Sequence, residues 1–288
     1  MALVADLAIA LLNGLTWGVT IALIAIGLAL IFGLLEIVNL AHGSLYMLGA
    51  VVGWFVVSAT GSFPLALVVA PLVVGALGVG VERVALRPIE DDVGITLIAT
   101  FGFALVFQQV ALLTFGPGTR PVEAPVTARI TVAGLSYSAY RVVIAVVGVA
   151  LIGLLYLFLF RTRTGLWMRG VRQDRETAAA LGVPTSRVYM LTFGLGAAFA
   201  ALAGVLLSPI VSVNHLMGLD ILPVAFTVVI VGGLGSLRGV LVASLVFALL
   251  ENIGAVFVAP IEARVLVLVA MIAFVLVRPE GIVRGEPS

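Results

Sequence analysis

The sequence of 288 residues contains neither cysteine nor lysine, since all 15 basic side chains are arginine. The lack of cysteine excludes disulfides, thiolate metal sites and a thiol nucleophile. The lack of lysine excludes a phosphate-binding P-loop, which needs a lysine after its glycine run, and a lysine Schiff base. The two histidines, His42 and His215, lie far apart and form no His-Glu-x-x-His zinc motif. We therefore expect no enzyme, no metal and no cofactor, and an energy source that is another subunit or a gradient.

Charged side chains are also scarce. They make up 10% of the chain, against 62% hydrophobic residues, and the mean hydropathy is +1.30. A soluble domain has roughly a quarter of its residues charged, and 15 basic and 14 acidic side chains cannot cover a soluble surface of this size. The composition predicts an all-α, polytopic membrane helix bundle surrounded by lipid, with no nucleic-acid partner.

Apolar runs divide the chain into spans, each needing about 20 residues to cross a bilayer. One tract is interrupted at Gly232-Gly233-Leu234-Gly235-Ser236, so it makes one crossing or two. The count is therefore eight or nine spans, with broken or re-entrant segments, in a single transmembrane domain of residues 1–288. The predicted spans are Leu7–Phe32, Tyr46–Ala59, Leu65–Val81, Gly94–Phe115, Tyr140–Phe160, Val188–Val211, the interrupted tract Ile221–Val258, and Val265–Val277.

Arginine placement predicts the orientation, because cytoplasmic loops carry an excess of positive charge. The segment 161–188 holds six arginines and is expected to be cytoplasmic, as are Glu82–Asp92 and the C-terminus with Arg278 and Arg284. The segment 116–139 holds two arginines and three prolines, and we expect an ordered or extended external loop. Counting crossings backward places the N-terminus outside. Met1–Ala10 lacks the basic residues of a cleaved signal peptide and is expected to be the retained start of the first helix.

Two segments break the helical pattern between apolar stretches. The first is Glu36–Ser44, with Asn39, His42 and Gly43, and the second is the glycine run with Gly232, Gly233 and Gly235. Backbone that leaves a helix inside a membrane must be sheltered by protein or line a watery cavity. One interrupted segment in each half is a sequence sign of a transport path. The alternative is that each segment is a tight turn at the membrane surface.

Polar side chains within the apolar runs are further path candidates. Gln108 and Gln109 are adjacent and diverge by about 100° on a helix, so at least one of them must face protein. Glu251 lies near the end of its span, and ionisable groups at depth are functional candidates by default. The alternative for Glu251 is an interhelical hydrogen bond. The sequence offers no chain of buried acids or histidines beside it, which argues against proton coupling.

The polar stretch from Arg161 to Pro184 predicts a short helix between two spans. Asp174 suits the N-cap, Arg175–Leu181 can form two turns, Gly182 suits the position after the C-cap, and Pro184 bars continuation. The three alanines 178–180 and Leu181 would present a small apolar face rimmed by charge. A helix this short is not stable alone and needs a docking partner. The alternative is a positively charged loop without a partner.

Four blocks together resemble the branched-chain amino-acid ABC transporter permeases, the LivH-like family. They occur in the family's order and cover nearly the whole chain. Residues 208–220 match less clearly, and the loop after Pro88 is short and acidic. The blocks are Val38-Asn-Leu-Ala-His-Gly-Ser-Leu-Tyr-Met-Leu-Gly49, Glu82-Arg-Val-Ala-Leu-Arg-Pro-Ile89, Arg161–Gly182, and Val231-Gly-Gly-Leu-Gly-Ser-Leu-Arg-Gly239 with Leu249-Leu-Glu-Asn252.

The resemblance implies a permease subunit of an importer. It would pair with a second permease subunit, a related chain or itself, with two cytoplasmic ATPase subunits and with an extracytoplasmic substrate-binding protein. The implied location is the plasma (inner) membrane. The implied ATPase-coupling residues are Asp174, Arg175, Glu176, Ala179 and Gly182. The implied translocation path comprises Asn39, His42, Gly43 and Gly232, Gly233 and Gly235, to which the polar residues Gln108 and Glu251 are added.

The cargo implied by the resemblance is leucine, isoleucine or valine, although related permeases take urea, short amides or other amino acids. The candidate path offers glycine, alanine, amide and imidazole groups with few fixed charges, which suits a small, nearly neutral solute. The alternative function is a gradient-driven small-solute transporter or channel. That class needs an ion or proton site at depth, and the sequence shows no clear one.

Overall fold

A computed structural model describes residues 2–90, 92–132 and 135–283 of the chain. These residues form eleven α-helices and one two-stranded hairpin. The helices are α1 (Ala2–Leu35), α2 (His42–Thr60), α3 (Phe63–Val81), α4 (Val93–Phe115), α5 (Ala139–Arg161), α6 (Arg163–Gln173), α7 (Arg175–Ala180), α8 (Thr185–Leu207), α9 (Met217–Gly232), α10 (Leu237–Gly254) and α11 (Pro260–Val277), and the strands are β1 (Arg129–Val132) and β2 (Leu135–Ser138).

Eight of the described helices are long and apolar enough to cross a bilayer, which confirms a polytopic helix bundle. The tract predicted as Ile221–Val258 is two helices, because the chain turns at Gly233 and Gly235, which have φ angles of 100° and 82°. Its first helix, α9, has 16 residues and is about 24 Å long, less than the roughly 30 Å of a hydrocarbon core. The bundle therefore has eight long helices and one short one.

The bundle has two ends, named here the hairpin end and the α7 end after the elements that lie there. Helix α1 begins at the hairpin end, where Arg141 of α5 donates a hydrogen bond of 2.8 Å to Asn13. It finishes at the α7 end, where Gly33 packs against Gly235 before α10. Helix α10 runs antiparallel to α1, with Leu245 packed against Gly18 and Leu249 packed against Gly14. Arg284, one of the two arginines from which a cytoplasmic C-terminus is predicted, lies outside the described residues.

The core lies where α1 and α8 cross. Gly27 and Gly196 face each other there, and a Cβ on either would lie 2.6 Å from the carbonyl oxygen of the other. Residues 21–26 of α1 are almost fully buried, while α4, α5 and α11 expose most of their apolar side chains. Exposed apolar faces suit contact with lipid or with another membrane helix, and these three helices form the apolar outer wall of the bundle.

The first break in the helical pattern is a non-helical segment, residues 36–41, that runs from the α7 end back into the bundle. Its backbone is satisfied by side chains: Thr100 of α4 accepts from Leu40 N at 3.2 Å and donates to the Val38 carbonyl at 3.1 Å. Asn39 Oδ1 accepts from Ala41 N at 3.0 Å. Non-helical backbone inside a membrane needs such partners. Helix α2 then begins at His42, four residues earlier than its apolar run predicts.

The second half of the chain repeats this arrangement in the opposite direction. Helix α8 runs from the α7 end to the hairpin end, non-helical residues 208–216 follow, and α9 begins inside the bundle beside the start of α2. The two starting turns touch, since a Cβ on Gly43 would clash with the Gly218 carbonyl and the reverse is also true. Helices α1–α4 and α8–α11 thus form an inverted pair, with α5–α7 between them, as in many transporters.

The segment Glu82–Asp92, predicted as a loop, is helical as far as Ile89. Helix α3 continues through a π-helical turn, Glu82–Leu86, and a 3₁₀ turn, Arg87–Ile89. Glu82 is 1% exposed and accepts from Arg87 at 3.0 Å, and Arg87 also donates to the Ser186 carbonyl of α8 at 2.8 Å. Because this ion pair neutralises the buried carboxylate, a polar sequence can continue the helix.

The loop predicted between residues 116 and 139 is described for residues 116–132 and 135–139, and part of it is the antiparallel pair of β1 and β2, with Arg129 opposite Ser138. Its first part forms a two-way backbone bridge between Arg120 and Val213, at 2.9 and 3.0 Å. The loop thereby holds the non-helical segment 208–216 that precedes α9.

Candidate functional site

Helix α7 has the termini that the sequence predicts. The Asp174 carboxylate accepts from Thr177 N at 2.9 Å and from the Thr177 hydroxyl, and these hydrogen bonds hold the pKa of Asp174 below its usual value. At the other end Gly182 has a φ of 82°, and Val183 N donates to the Ala178 carbonyl at 3.0 Å. This is the closure of a helix that ends in a left-handed residue. The helix covers Arg175–Ala180, one residue less than predicted.

Helix α7 exposes most of its surface to solvent. Ala178 is buried, whereas Glu176, Ala179 and Ala180 are exposed, so only one alanine of the predicted patch faces the protein. Leu181, directly after the helix, is 79% exposed.

On the inner side of α7, Arg175 contacts the turn between α3 and α4 and the start of α8. Arg175 Nη2 lies 2.6 Å from Glu90 Oε1 in the turn between α3 and α4. The Arg175 guanidinium also lies 5.0 Å from the ring centroid of Tyr189 in α8. Arg175 thus connects α7 to the turn between α3 and α4 and to the start of α8.

A cavity of about 380 Å³ opens beside this contact at the α7 end. Its polar lining includes Glu36, Glu90, Thr96, Arg172 and Arg175. Glu36 is the first residue after α1, and its φ of 56° is unusual for a residue other than glycine. The cavity thus lies between α7 and the non-helical segment 36–41.

The predicted path residues Asn39 and His42 are both 0% exposed. His42 Nε2 lies 2.9 Å from the Ile24 carbonyl in α1, while His42 Nδ1 and Asn39 Nδ2 have no hydrogen-bond partner within the described residues. The His42 ring lies against Gly27, where α1 meets α8. Gly43 follows at the contact with Gly218. Their role in a path stays a prediction.

The predicted glycines of the second half form a tight turn at the α7 end. Gly232 packs against Gly239, Gly233 approaches the Val283 carbonyl, and Gly235 lies against the Arg172 guanidinium. Ile282 N donates to the Val231 carbonyl at 2.8 Å, which ties the residues after α11 to the same turn. Close packing accounts for each of these glycines, and their place on a path also stays a prediction.

The two remaining path candidates lie elsewhere in the bundle. Gln108 is half-buried on α4, beside an exposed Gln109. Glu251 is 7% exposed at the hairpin end, where it accepts from Trp17 Nε1 at 2.8 Å and from Arg264 Nε at 2.6 Å. The predicted path residues are thus spread from one end of the bundle to the other and do not form one cluster.

Sequence reasoning missed several residues that the structure brings together. Glu90 was noted only as part of an acidic turn, although it holds Arg175 of α7. Arg141 and Arg264 were not singled out as site residues. Each lies in the first two turns of an apolar helix. A charged side chain at that position in two helices was the sequence feature that could have marked them as site residues.

Comparison with known proteins gives a consistent family. The sequence matches the family described as branched-chain amino acid transport system / permease component over residues 10–276. It is 33% identical to the high-affinity branched-chain amino acid transport system permease protein LivH of Escherichia coli K12, over 96% of this chain and 94% of that protein. For BraD of Pseudomonas aeruginosa the identity is 32%, over 96% and 95%. The solved structure of PsaBC from Streptococcus pneumoniae in complex with Fab aligns at 17% identity with a TM-score of 0.47, covering 91% of this chain and 89% of that one.

Proposed function

The chain belongs to the branched-chain amino acid transport permease family and is a multi-pass protein of the plasma (inner) membrane, and on this premise we propose that it is the permease subunit of an ATP-driven importer. It is a transport component and not an enzyme. The proposed complex contains a second permease subunit, two ATPase subunits and an extracytoplasmic binding protein. The relatives carry branched-chain amino acid transport in their names, and we extend that cargo to this chain, with other small, nearly neutral amino acids as the wider class.

The proposed orientation places the α7 end in the cytoplasm. Among the described residues, ten arginines lie at the α7 end and four lie at the hairpin end. An excess of arginine marks the cytoplasmic side. The segment 161–188, with α6 and α7, would then face the ATPase subunits, and the segment 116–139 would face the binding protein. The four at the hairpin end are Arg120, Arg129, Arg141 and Arg264.

The exposed helix α7 is the observation that carries this proposal. It is capped at both ends, held to the membrane helices by Arg175, and presents Glu176, Ala179 and Leu181 outward. A two-turn helix on its own is unstable, so a rigidly held one with an exposed aliphatic tip suits a surface that receives a partner. Because the chain has no lysine and hence no P-loop, that partner would supply ATP hydrolysis.

The link from α7 to the membrane would transmit the motion of the ATPase subunits. Glu90 connects Arg175 to the turn between α3 and α4, and the cavity at the α7 end separates this contact from segment 36–41. A shift of α7 would therefore change the distance between α4 and that segment. Asn39, His42 and Gly43 follow directly, where the starts of α2 and α9 meet inside the bundle. We place the moving part of the translocation path at this meeting point.

Co-purification tests the proposal. The tagged chain, co-expressed with its candidate ATPase subunits, is purified in mild detergent and compared with a Glu176→Arg/Ala179→Asp variant. We expect the ATPase subunits to be recovered with the wild type and lost from the double variant. A Glu123→Arg variant, an exposed charge reversal at the hairpin end, should retain them. A chain that purifies alone and transports in vesicles without ATP would instead be a gradient-driven carrier, and the proposal would be rejected.

A further inference from the structure

A second cavity, of about 390 Å³, opens at the hairpin end between α1, α5, α8, α10 and α11. Its size lies within the roughly 300–1,000 Å³ usual for small-molecule sites. The buried Glu251 lies in its wall, together with Arg141 and Arg264. It is separate from the cavity at the α7 end, with which it shares no lining residue.

The wall of this cavity has more positive than negative side chains. Glu251 and Arg264 neutralise each other across 2.6 Å, with Trp17 Nε1 bonded to the second carboxylate oxygen at 2.8 Å. Arg141 donates to the Asn13 amide oxygen at 2.8 Å, and within the described residues it has no carboxylate at salt-bridge distance. A guanidinium has five N–H donors, so this hydrogen bond leaves most of them for a ligand. The side chains that line the cavity therefore carry a net charge of +1.

The uncharged lining is partly polar, with Thr16, Thr20 and Asn252, and partly aliphatic. Leu207, Ile210 and Val211 come from the end of α8 and the segment after it, and Ile261 comes from the first turn of α11. An apolar wall with a few placed charges is the usual composition of a site for a small amphiphilic ligand. A carboxylate binds a guanidinium in paired hydrogen bonds, and each oxygen of Glu251 has a further lone pair for an ammonium group.

We propose that this cavity binds a free zwitterionic amino acid with a branched aliphatic side chain on the hairpin side of the permease. Its carboxylate lies on Arg141, its ammonium lies beside Glu251, and its side chain packs against Leu207 and Ile261. The choice of cargo rests on the proposed function. The permease then reads the amino acid itself and adds a second selection step to that of a binding protein.

Leucine binding to the purified full-length chain tests this site without the ATPase subunits. In phosphatidylcholine nanodiscs we expect saturable binding of radiolabelled leucine, with strong competition by isoleucine and valine. Leucinamide, which lacks the carboxylate, and 4-methylpentanoate, which lacks the ammonium group, should compete at least roughly tenfold more weakly, because each loses a charge-assisted hydrogen bond. These comparisons use the wild-type chain and do not depend on how any variant folds.

Variants locate the site. Arg141→Gln should weaken leucine binding by roughly tenfold or more, whereas Arg129→Gln, an exposed arginine on β1, should leave it unchanged. Ile261 lines the cavity and is not part of the buried core, so Ile261→Trp should narrow the space and reduce binding without disturbing the core.

Three outcomes overturn the proposal: no saturable leucine binding, equal competition by leucinamide, or unchanged binding in both Arg141→Gln and Ile261→Trp. Leucine binding that is lost in phosphatidylglycerol nanodiscs would assign the cavity to a lipid phosphate instead. The proposed function fails separately. If the wild-type complex shows no ATP-dependent leucine uptake, the importer is rejected, whereas normal uptake without binding at this cavity rejects the cavity alone.

Discussion

Gly43, in the first turn of α2, and Gly218, in the first turn of α9, lie backbone against backbone inside the bundle. A Cβ on either residue would clash with the carbonyl oxygen of the other. Two helices that begin within a membrane direct the positive ends of their dipoles toward the same region. Their contact makes the inverted halves of the chain depend on each other at one place.

Gly43→Ala should force α2 and α9 apart. We expect a loss of about 1–3 kcal/mol in the free energy of unfolding, as for other overpacked sites, together with a severe loss of transport. Gly102→Ala is the matched control, because Gly102 is also helical and its added Cβ meets nothing within 4 Å. That change should be neutral, or stabilising by up to about 1 kcal/mol. Thermal unfolding in detergent measures the stability of the two variants, and leucine uptake measures their transport. Equal stability and equal uptake of the two variants would show that the Gly43–Gly218 contact is not important.

The Glu90–Arg175 pair should matter for coupling more than for stability. Exposed ion pairs contribute about 0–1 kcal/mol, and Arg175 is half exposed, so Glu90→Gln should leave the melting temperature nearly unchanged. We expect ATPase subunits still to bind, while transport per ATP hydrolysed falls several-fold. Proteoliposome assays of uptake and hydrolysis give this ratio. Arg83→Gln, an exposed arginine at the same end, should keep the wild-type ratio.

Local signals predicted the parts of this protein that local chemistry determines. An N-cap aspartate, a glycine at the position after the C-cap and a following proline gave helix α7 to within one residue, because each acts on its own backbone. The breaks near residues 36–41 and 232–236 were also readable, since glycine and polar residues interrupt the apolar runs there, whereas the non-helical segment 208–216 was not singled out.

What the sequence did not reveal depends on contacts between distant segments. Helix α6 was not predicted, because its glycines and arginines leave few apolar side chains to mark a helical pattern. Its buried face consists of Gly165, Met168 and Val171. The Glu90–Arg175 pair joins residues 85 positions apart, and no local pattern marks it. The early start of α2 and the separate start of α9 follow from packing between the inverted halves, which is a property of the whole bundle.

Arg87→Ala should destabilise the bundle because it leaves Glu82 buried and unpaired. Removing one partner of a buried ion pair typically costs about 3–5 kcal/mol. Arg83→Ala, four residues away and exposed, should cost less than about 0.5 kcal/mol. Denaturation of both variants in detergent compares the two costs. Glu82→Gln/Arg87→Gln should recover part of the loss, since it removes the buried charge, and no recovery would show that packing and not charge is responsible.

The Asp174 cap predicts how the α7 surface responds to pH. The pKa of Asp174 is lower in the folded protein than in the unfolded chain, since the ionised carboxylate accepts hydrogen bonds from Thr177. Its stabilisation of α7 is therefore fully present above the unfolded pKa of about 3.9 and is lost as the pH falls through the folded pKa. Between pH 5 and 8 we expect no change in ATPase binding from this group.

Substitutions separate the cap from the charge. An asparagine at this N-cap would still accept a hydrogen bond but does not titrate, so Asp174→Asn should bind ATPase subunits at pH 7 nearly as the wild type does. Asp174→Ala loses the cap and should bind more weakly at every pH. Pull-down of ATPase subunits between pH 3.5 and 7, with Asp174→Asn as the control whose cap does not titrate, measures the difference. If Asp174→Ala binds as well as Asp174→Asn, the partner itself orders α7 and the pre-formed cap contributes little to docking.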